Sequence, residues 1–131
     1  MRMNQIVNDK RPINLDLASM KYPPMAIASI LHRISGLILF LLMPIMLYFF
    51  SVSLRSSDSF EQLETTIRTC VFSKLVLWGF CSALLYHVIA GIRHIAMDLG
   101  FGETLYAAKR SAVVVIMIAV IATILLGMWI W

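Results

Sequence analysis

Residues Val71–Met97 read VFSKLVLWGFCSALLYHVIAGIRHIAM, an apolar run that nonetheless carries His87, Arg93 and His94 toward its end. A helix needs about 20 residues to cross a hydrocarbon core, and this stretch exceeds that. Ionisable groups at membrane depth are costly and usually mark function. His87 and His94 are seven residues apart, nearly two helical turns, so both imidazoles point the same way, roughly 10 Å apart along the axis. Ala90 and Gly91 lie between them on that face and leave space where a bulky side chain would normally pack. A flat cofactor lying against this helix is the first expectation.

Two further stretches share this apolar character, about Met25–Val52 and about Ala112–Trp131. The chain has 131 residues, 60% of them hydrophobic, and a mean hydropathy of +0.85. That is too apolar for a soluble domain of ordinary composition. Backbone polar groups cannot stay unpaired in lipid, so all three stretches are expected to be helices. The expected architecture is all-α: one integral membrane domain over 1–131, with a leader at 1–23 and helices at about 24–53, 65–98 and 104–131. Three helices enclose little by themselves, so a partner subunit is expected. Pro23 and Pro24 should open the first helix, where a missing N–H costs little. Pro44 should kink it. Ser51–Thr66 reads as a polar loop passing into the second helix near Glu64. Gly100 and Gly102 supply the next turn. Trp129 and Trp131 would anchor the far end of the third span.

Charge sets the orientation. Arg2, Lys10, Arg11 and Lys21 precede the first span; Arg93, Lys109 and Arg110 border the second loop. Arg55 and Arg68, in the first loop, are offset by Asp58, Glu61 and Glu64, and nothing charged follows the third span. The positive-inside rule then puts the N-terminus and the second loop in the cytoplasm and the C-terminus outside. The balance of 11 Lys+Arg against 7 Asp+Glu collects at helix ends, so it is no nucleic-acid signature; lipid is the expected surroundings. Cys70 and Cys81 would stand about 16 Å apart along one helix, beyond disulfide reach. No zinc or haem-attachment cysteine spacing occurs. The long polar leader does not read as a cleavable signal peptide.

Ser29, His32, Arg33 and Gly36 follow an i, i+3, i+4, i+7 pattern, which places them on one face of the first helix. With the second helix antiparallel, His87, Arg93 and His94 fall at the same depth, in the inner half of the bilayer. The outer halves of all three helices are almost purely apolar. His87 fits an axial haem ligand, since neutral imidazole binds haem iron well and one chain often supplies one of two such ligands. It equally fits an interhelical hydrogen bond. His94 suits either the carboxylate edge of a porphyrin or the headgroup region. Arg93 or Arg33 could pair with propionates. Arg33 could instead meet an anionic or carbonyl-bearing ligand, with Ser29 as a second polar group, or form an ion pair with a carboxylate on another subunit.

The segments Arg11–Leu17, Ser29–Gly36, Tyr86–His94 and Lys109–Ala112 together resemble the cytochrome b subunit of bacterial succinate dehydrogenase, the larger membrane anchor of respiratory complex II. The resemblance covers nearly the whole chain. Its two central motifs, S-x-x-H-R-x-S-G and H-x-x-x-G-x-R-H, occur in the right order on the right helices. It implies partners: a flavoprotein subunit that oxidises succinate, an iron–sulfur subunit that relays electrons, and a second small membrane-anchor subunit. It implies a haem b shared between the anchors, with His87 as this chain's axial, metal-binding ligand and His32, Arg33 and His94 near the propionates. Ser29 and Arg33 would line the site where ubiquinone is reduced. Two other readings remain from the residues: an anchor running the reverse reaction as a fumarate reductase, and a structural assembly subunit. A small proton-coupled transporter is disfavoured, because none of the spans contains an embedded carboxylate.

Overall fold

The computed structural model describes residues 21–131, and these are all helix and turn: α1 (Pro24–Ser53), α2 (Ser57–Thr69), α3 (Val71–Asp98) and α4 (Leu105–Ile130). The leader segments read above, including Arg11–Leu17, lie mostly or wholly outside the described residues. Three of the helices, α1, α3 and α4, are long and apolar enough to cross a membrane. The expectation of an all-helical chain with three spans therefore holds, with one short polar helix added.

Local chemistry explains the boundaries. Pro23 is extended, with φ −67° and ψ 153°, and Pro24 begins α1, where no N–H needs an intrahelical partner. The helix continues through Pro44 as a single element. Gly100 and Gly102 adopt φ of +86° and +76°, the left-handed conformation that ends α3 and turns the chain. Phe101 N–H reaches back to the Ala96 carbonyl at 2.9 Å, closing that turn. Thr104 then caps α4, its hydroxyl accepting from the Ala107 N–H at 3.3 Å.

The expected loop over Ser51–Thr66 needs correcting. Most of it is α2, and the helix expected to start near Glu64 is interrupted at Cys70, whose φ of −91° and ψ of 111° are extended. Ser56 is the cause: its hydroxyl accepts the Ser59 N–H at 3.1 Å, an N-cap that starts a helix independently of the span. Asp58 in the first turn and Arg68 in the last suit the helix dipole. Arg68 also meets Glu64 at 2.9 Å one turn away.

α1, α3 and α4 each touch the other two, while α2 lies against α1 and α3. Tyr86 donates to the Ala28 carbonyl at 2.9 Å near the start of α1, and Trp78 donates to the Thr123 carbonyl at 3.1 Å near the end of α4. These pairs make α3 antiparallel to both neighbours. The late turns of α3 therefore lie beside the early turns of α1 and α4.

The seams are built from small residues. Ala28 and Ser35 are buried on α1; Ser73, Val76, Ala83 and Ala90 on α3; Ala108, Ala112, Val115 and Ala119 on α4. The seven-residue steps from 28 to 35 and from 76 through 83 to 90 keep one stripe facing inward along each helix. Among the described residues no large side chain is fully buried, whereas Phe40 is 76% exposed and Leu41, Ile121 and Leu125 also point outward. A soluble bundle would invert that arrangement. In lipid, apolar burial supplies little drive between helices, so close backbone approach and interhelical hydrogen bonds hold them together.

Ala112 has no exposed surface at all, so Ala112→Leu should destabilise the bundle by roughly 1–3 kcal/mol through overpacking. The outward-facing Val120→Ala should stay within about 0.5 kcal/mol. Reversible unfolding in detergent with increasing dodecyl sulfate measures both; equal effects would refute the small-residue seam.

Candidate functional site

The antiparallel packing of α1 and α3 brings together three histidines that are distant in sequence. The His32 ring sits 4.1 Å from the His87 ring, centroid to centroid and tilted by 34°. On its other side it lies 5.2 Å from the His94 ring, tilted by 50°. The space that Ala90 and Gly91 leave on α3 is therefore filled, by the imidazole of His32. A Cβ on Gly91 would come to 4.0 Å from His32 Nε2. In this structure the gap receives a side chain from α1, so a planar ligand against α3 would lie beyond this ring cluster.

Close approach is possible because α1 presents Gly36 and Ser35 to His87. A Cβ at Gly36 would stand only 3.2 Å from His87 Cε1, tighter than ordinary contact. Ser35 is 5% exposed. Its hydroxyl donates to the His32 carbonyl at 2.7 Å, and the same oxygen lies 3.0 Å from His87 Nδ1. One side chain thus links the backbone of α1 to the imidazole of α3. His32 Nε2 is buried and has no hydrogen-bond partner among the described residues. A buried polar atom without a partner is uncommon and calls for a physical reason.

The face expected to hold Ser29, His32, Arg33 and Gly36 divides in two. His32 and Gly36 turn toward α3, whereas Arg33 is exposed and Ser29 half-buried on the neighbouring flank. Neither Ser29 nor Arg33 has a side-chain hydrogen bond among the described residues, and the one ion pair found there joins Arg68 to Glu64. Arg33 therefore offers its guanidinium outward. Arg93, the other cation considered for this role, is already engaged. Its Nε donates to Ser111 Oγ at 2.9 Å and its Nη2 to the Ala108 carbonyl at 3.1 Å, fastening α3 to the first turns of α4. The planar fork of arginine suits two fixed acceptors in this way.

The described residues contain no group of three His, Cys, Asp or Glu side chains arranged to hold a metal ion. The three imidazoles pack in a tilted row and do not converge on one point. Such a set is chemically suited to offering a single nitrogen to a metal whose other ligands come from elsewhere. His87 fits that part best, with one ring nitrogen beside Ser35 and the other without a hydrogen bond among the described residues.

Sequence reasoning singled out His32, Arg33, His87, His94 and Ser29, and the structure draws the three histidines into one cluster. It missed Ser35, Tyr86 and Ser111 as connecting groups. Ser35 was detectable, since it stands seven residues beyond Ala28 on the same small-residue stripe. The partners of Tyr86 and Arg93 depend on helix rotation, which the pattern of one helix does not fix.

Comparison with known proteins points the same way. Residues 7–126 match the family described as succinate dehydrogenase/fumarate reductase transmembrane subunit. A succinate dehydrogenase cytochrome b556 subunit of Coxiella burnetii is 48% identical over 125 residues, covering 95% of this chain and 100% of that one. The protein of the same name from Rickettsia typhi is 30% identical, covering 95% and 97%. The mitochondrial cytochrome b560 subunit of Sus scrofa is also 30% identical, covering 92% of this chain and 72% of its own length.

Proposed function

This chain belongs to the succinate dehydrogenase/fumarate reductase transmembrane subunit family, and on that footing we propose that it is the cytochrome b anchor of a succinate:quinone oxidoreductase. It is a multi-pass protein of the bacterial inner membrane. In this reading His87 would supply this chain's ligand to a haem b shared with a second anchor subunit, and the chain would help form the ubiquinone-reduction site. It docks an iron–sulfur subunit, which receives electrons from a flavoprotein. The observation that carries the proposal is the contact of His87 Nδ1 with Ser35, which leaves the opposite ring nitrogen available to a metal.

The residues present fit a haem. His87 supplies an imidazole from within α3, and Gly36 keeps the opposing backbone clear of it. His32 and His94 line up with His87 along the seam and extend it toward the helix end, where the propionates would meet His32, His94 and Arg33. The unpartnered His32 Nε2 is the group in this row that an acceptor oxygen would satisfy. When bound, the haem would accept and return single electrons.

Quinone reduction takes up two electrons and two protons, so its site must reach both an electron donor and water. An inner-half position on the flank of α1 meets both needs. Arg33 would stabilise the negative charge that develops on a reduced quinone oxygen, and Ser29, one turn earlier, would orient the carbonyl by a hydrogen bond. Neither side chain is spent on another described residue. The chain has no carboxylate within the bilayer and no cysteine cluster, so succinate oxidation falls to its partners.

Three measurements test this assignment. In the assembled complex, His87→Leu should abolish the b-type band in the reduced-minus-oxidised spectrum; an unchanged band would transfer weight to a purely structural anchor. Arg33→Leu should slow quinone reduction on the order of 100-fold while succinate oxidation with an artificial acceptor persists. Equal loss of both would indicate failed assembly. The third concerns orientation. Cys70 is exposed at the start of α3, where the Ser73 N–H first, then the Ser73 hydroxyl and the Phe72 N–H, hold its thiol below the usual cysteine range. A lowered value means more thiolate at neutral pH, hence faster alkylation. A membrane-impermeant maleimide added to intact spheroplasts should label Cys70 and spare Cys81. Labelling confined to inverted vesicles would reverse the proposed topology.

A further inference from the structure

We propose that Ser35 is the positioning residue that fixes the tautomer of His87, holding the proton on Nδ1 and keeping Nε2 as the metal-binding lone pair. This rests on the assignment of His87 as a haem ligand and adds the reason that one of its two nitrogens is selected. A serine hydroxyl has one hydrogen and two lone pairs. The hydrogen of Ser35 is committed to the His32 carbonyl at 2.7 Å, the shorter of its two contacts. What it offers to His87 Nδ1 at 3.0 Å is therefore a lone pair. Two lone pairs facing each other at that distance would repel, so Nδ1 carries the proton and donates.

The alternative arrangement is poorer. If Ser35 instead donated to Nδ1, the proton of the neutral ring would sit on Nε2. The Ser35 hydroxyl would then give up its bond to the His32 carbonyl, and the seam would contain one hydrogen bond where it now has two. Burial sharpens the preference, because Ser35 is 5% exposed and water cannot substitute for either partner. Gly36 contributes by letting the ring approach close enough for the contact, with a Cβ there only 3.2 Å from Cε1. A ligating histidine whose second nitrogen donates to a fixed acceptor is oriented by that bond and made more basic by it. In this chain the acceptor is itself tied to the α1 backbone, so the orientation of the ligand on α3 is set by α1.

The test uses the complete complex and compares Ser35→Ala, Ser35→Cys and Ser35→Thr. Haem content and the haem midpoint potential are the readouts. Losing the acceptor makes the ligand less basic and disfavours ferric iron, so Ser35→Ala should raise the potential. Ser35→Cys, close in size but a much weaker acceptor, should raise it too and covers the case in which the alanine variant fails to assemble. Ser35→Thr retains the hydroxyl and should return the potential to the wild-type value. An alanine or cysteine variant with full haem at the wild-type potential would overturn the proposal, as would a threonine variant shifted as far as alanine. The two levels of inference fail differently. Haem retained in His87→Leu removes the ligand assignment itself, whereas loss of haem there with no shift in the Ser35 variants removes only the role of Ser35.

Discussion

The contact between α1 and α3 at Ser35, Gly36 and His87 is the constraint on which the polar end of the bundle depends. Two helices approach this closely only where side chains are minimal, and Gly36 has no Cβ to hold the imidazole off. Once the backbones are near, Ser35 reaches His87 and His32 slips between His87 and His94. A side chain at position 36 would push the imidazole away and dissolve the whole row. Small residues recur along the helix seams, where alanines at 83, 90, 108, 112 and 119 stand in place of the large core residues of a water-soluble bundle.

Polarity in the chain is lopsided along the membrane normal. His32, His87 and His94, together with Arg33, Arg93 and Ser111, all occupy the half in which α1 and α4 begin and α3 ends. The opposite half holds its helices by Trp78, which donates to the Thr123 carbonyl and packs over Gly127. That end is capped by α2, an amphipathic segment with its own Ser56 cap and Glu64–Arg68 pair. Structural fastening by polar groups thus occurs at both ends, yet the three histidines are gathered at one. Arg93 shows the distinction within that end: it is consumed in tying α3 to α4, while Arg33 is left with its charge exposed.

Much of this was legible in the sequence, for reasons that differ by feature. Span length and apolarity follow from the thickness of a bilayer and the need to satisfy backbone groups, so three helices could be read directly. The depth of the histidines followed from their positions along those helices. Helix rotation was harder. Arg33 and His32 are adjacent, and a periodicity of 3.6 residues allows both on a broad face; only packing against α3 decided that His32 turns inward and Arg33 away. The polar stretch over Ser51–Thr66 misled for another reason. Its Ser, Asp and Glu residues suit a loop, but they suit equally the capped and charge-balanced first turns of a short surface helix, and Ser56 tipped the choice. The space beside Ala90 and Gly91 was correctly recognised as space. What filled it came from another helix, which no single-helix argument contains.

Among the described residues the candidate site is incomplete. The imidazoles pack against one another in a tilted row, and the described residues include no set of three ligands directed at a common point. A metal bound through His87 would therefore need its remaining protein ligand from outside. The same holds for Arg33, whose guanidinium faces away from the bundle with no ion-pair partner among the described residues. An unpaired cation in that half of the bilayer is tolerable where water, an anionic ligand or a partner surface meets it. A small membrane subunit that keeps its own fastening groups, Tyr86, Trp78 and Arg93, turned inward and leaves Arg33 and a histidine nitrogen uncommitted is organised for shared occupancy. On the proposed reading those uncommitted groups are where haem, quinone and neighbouring subunits converge, and the small-residue seams are what hold them at the required depth.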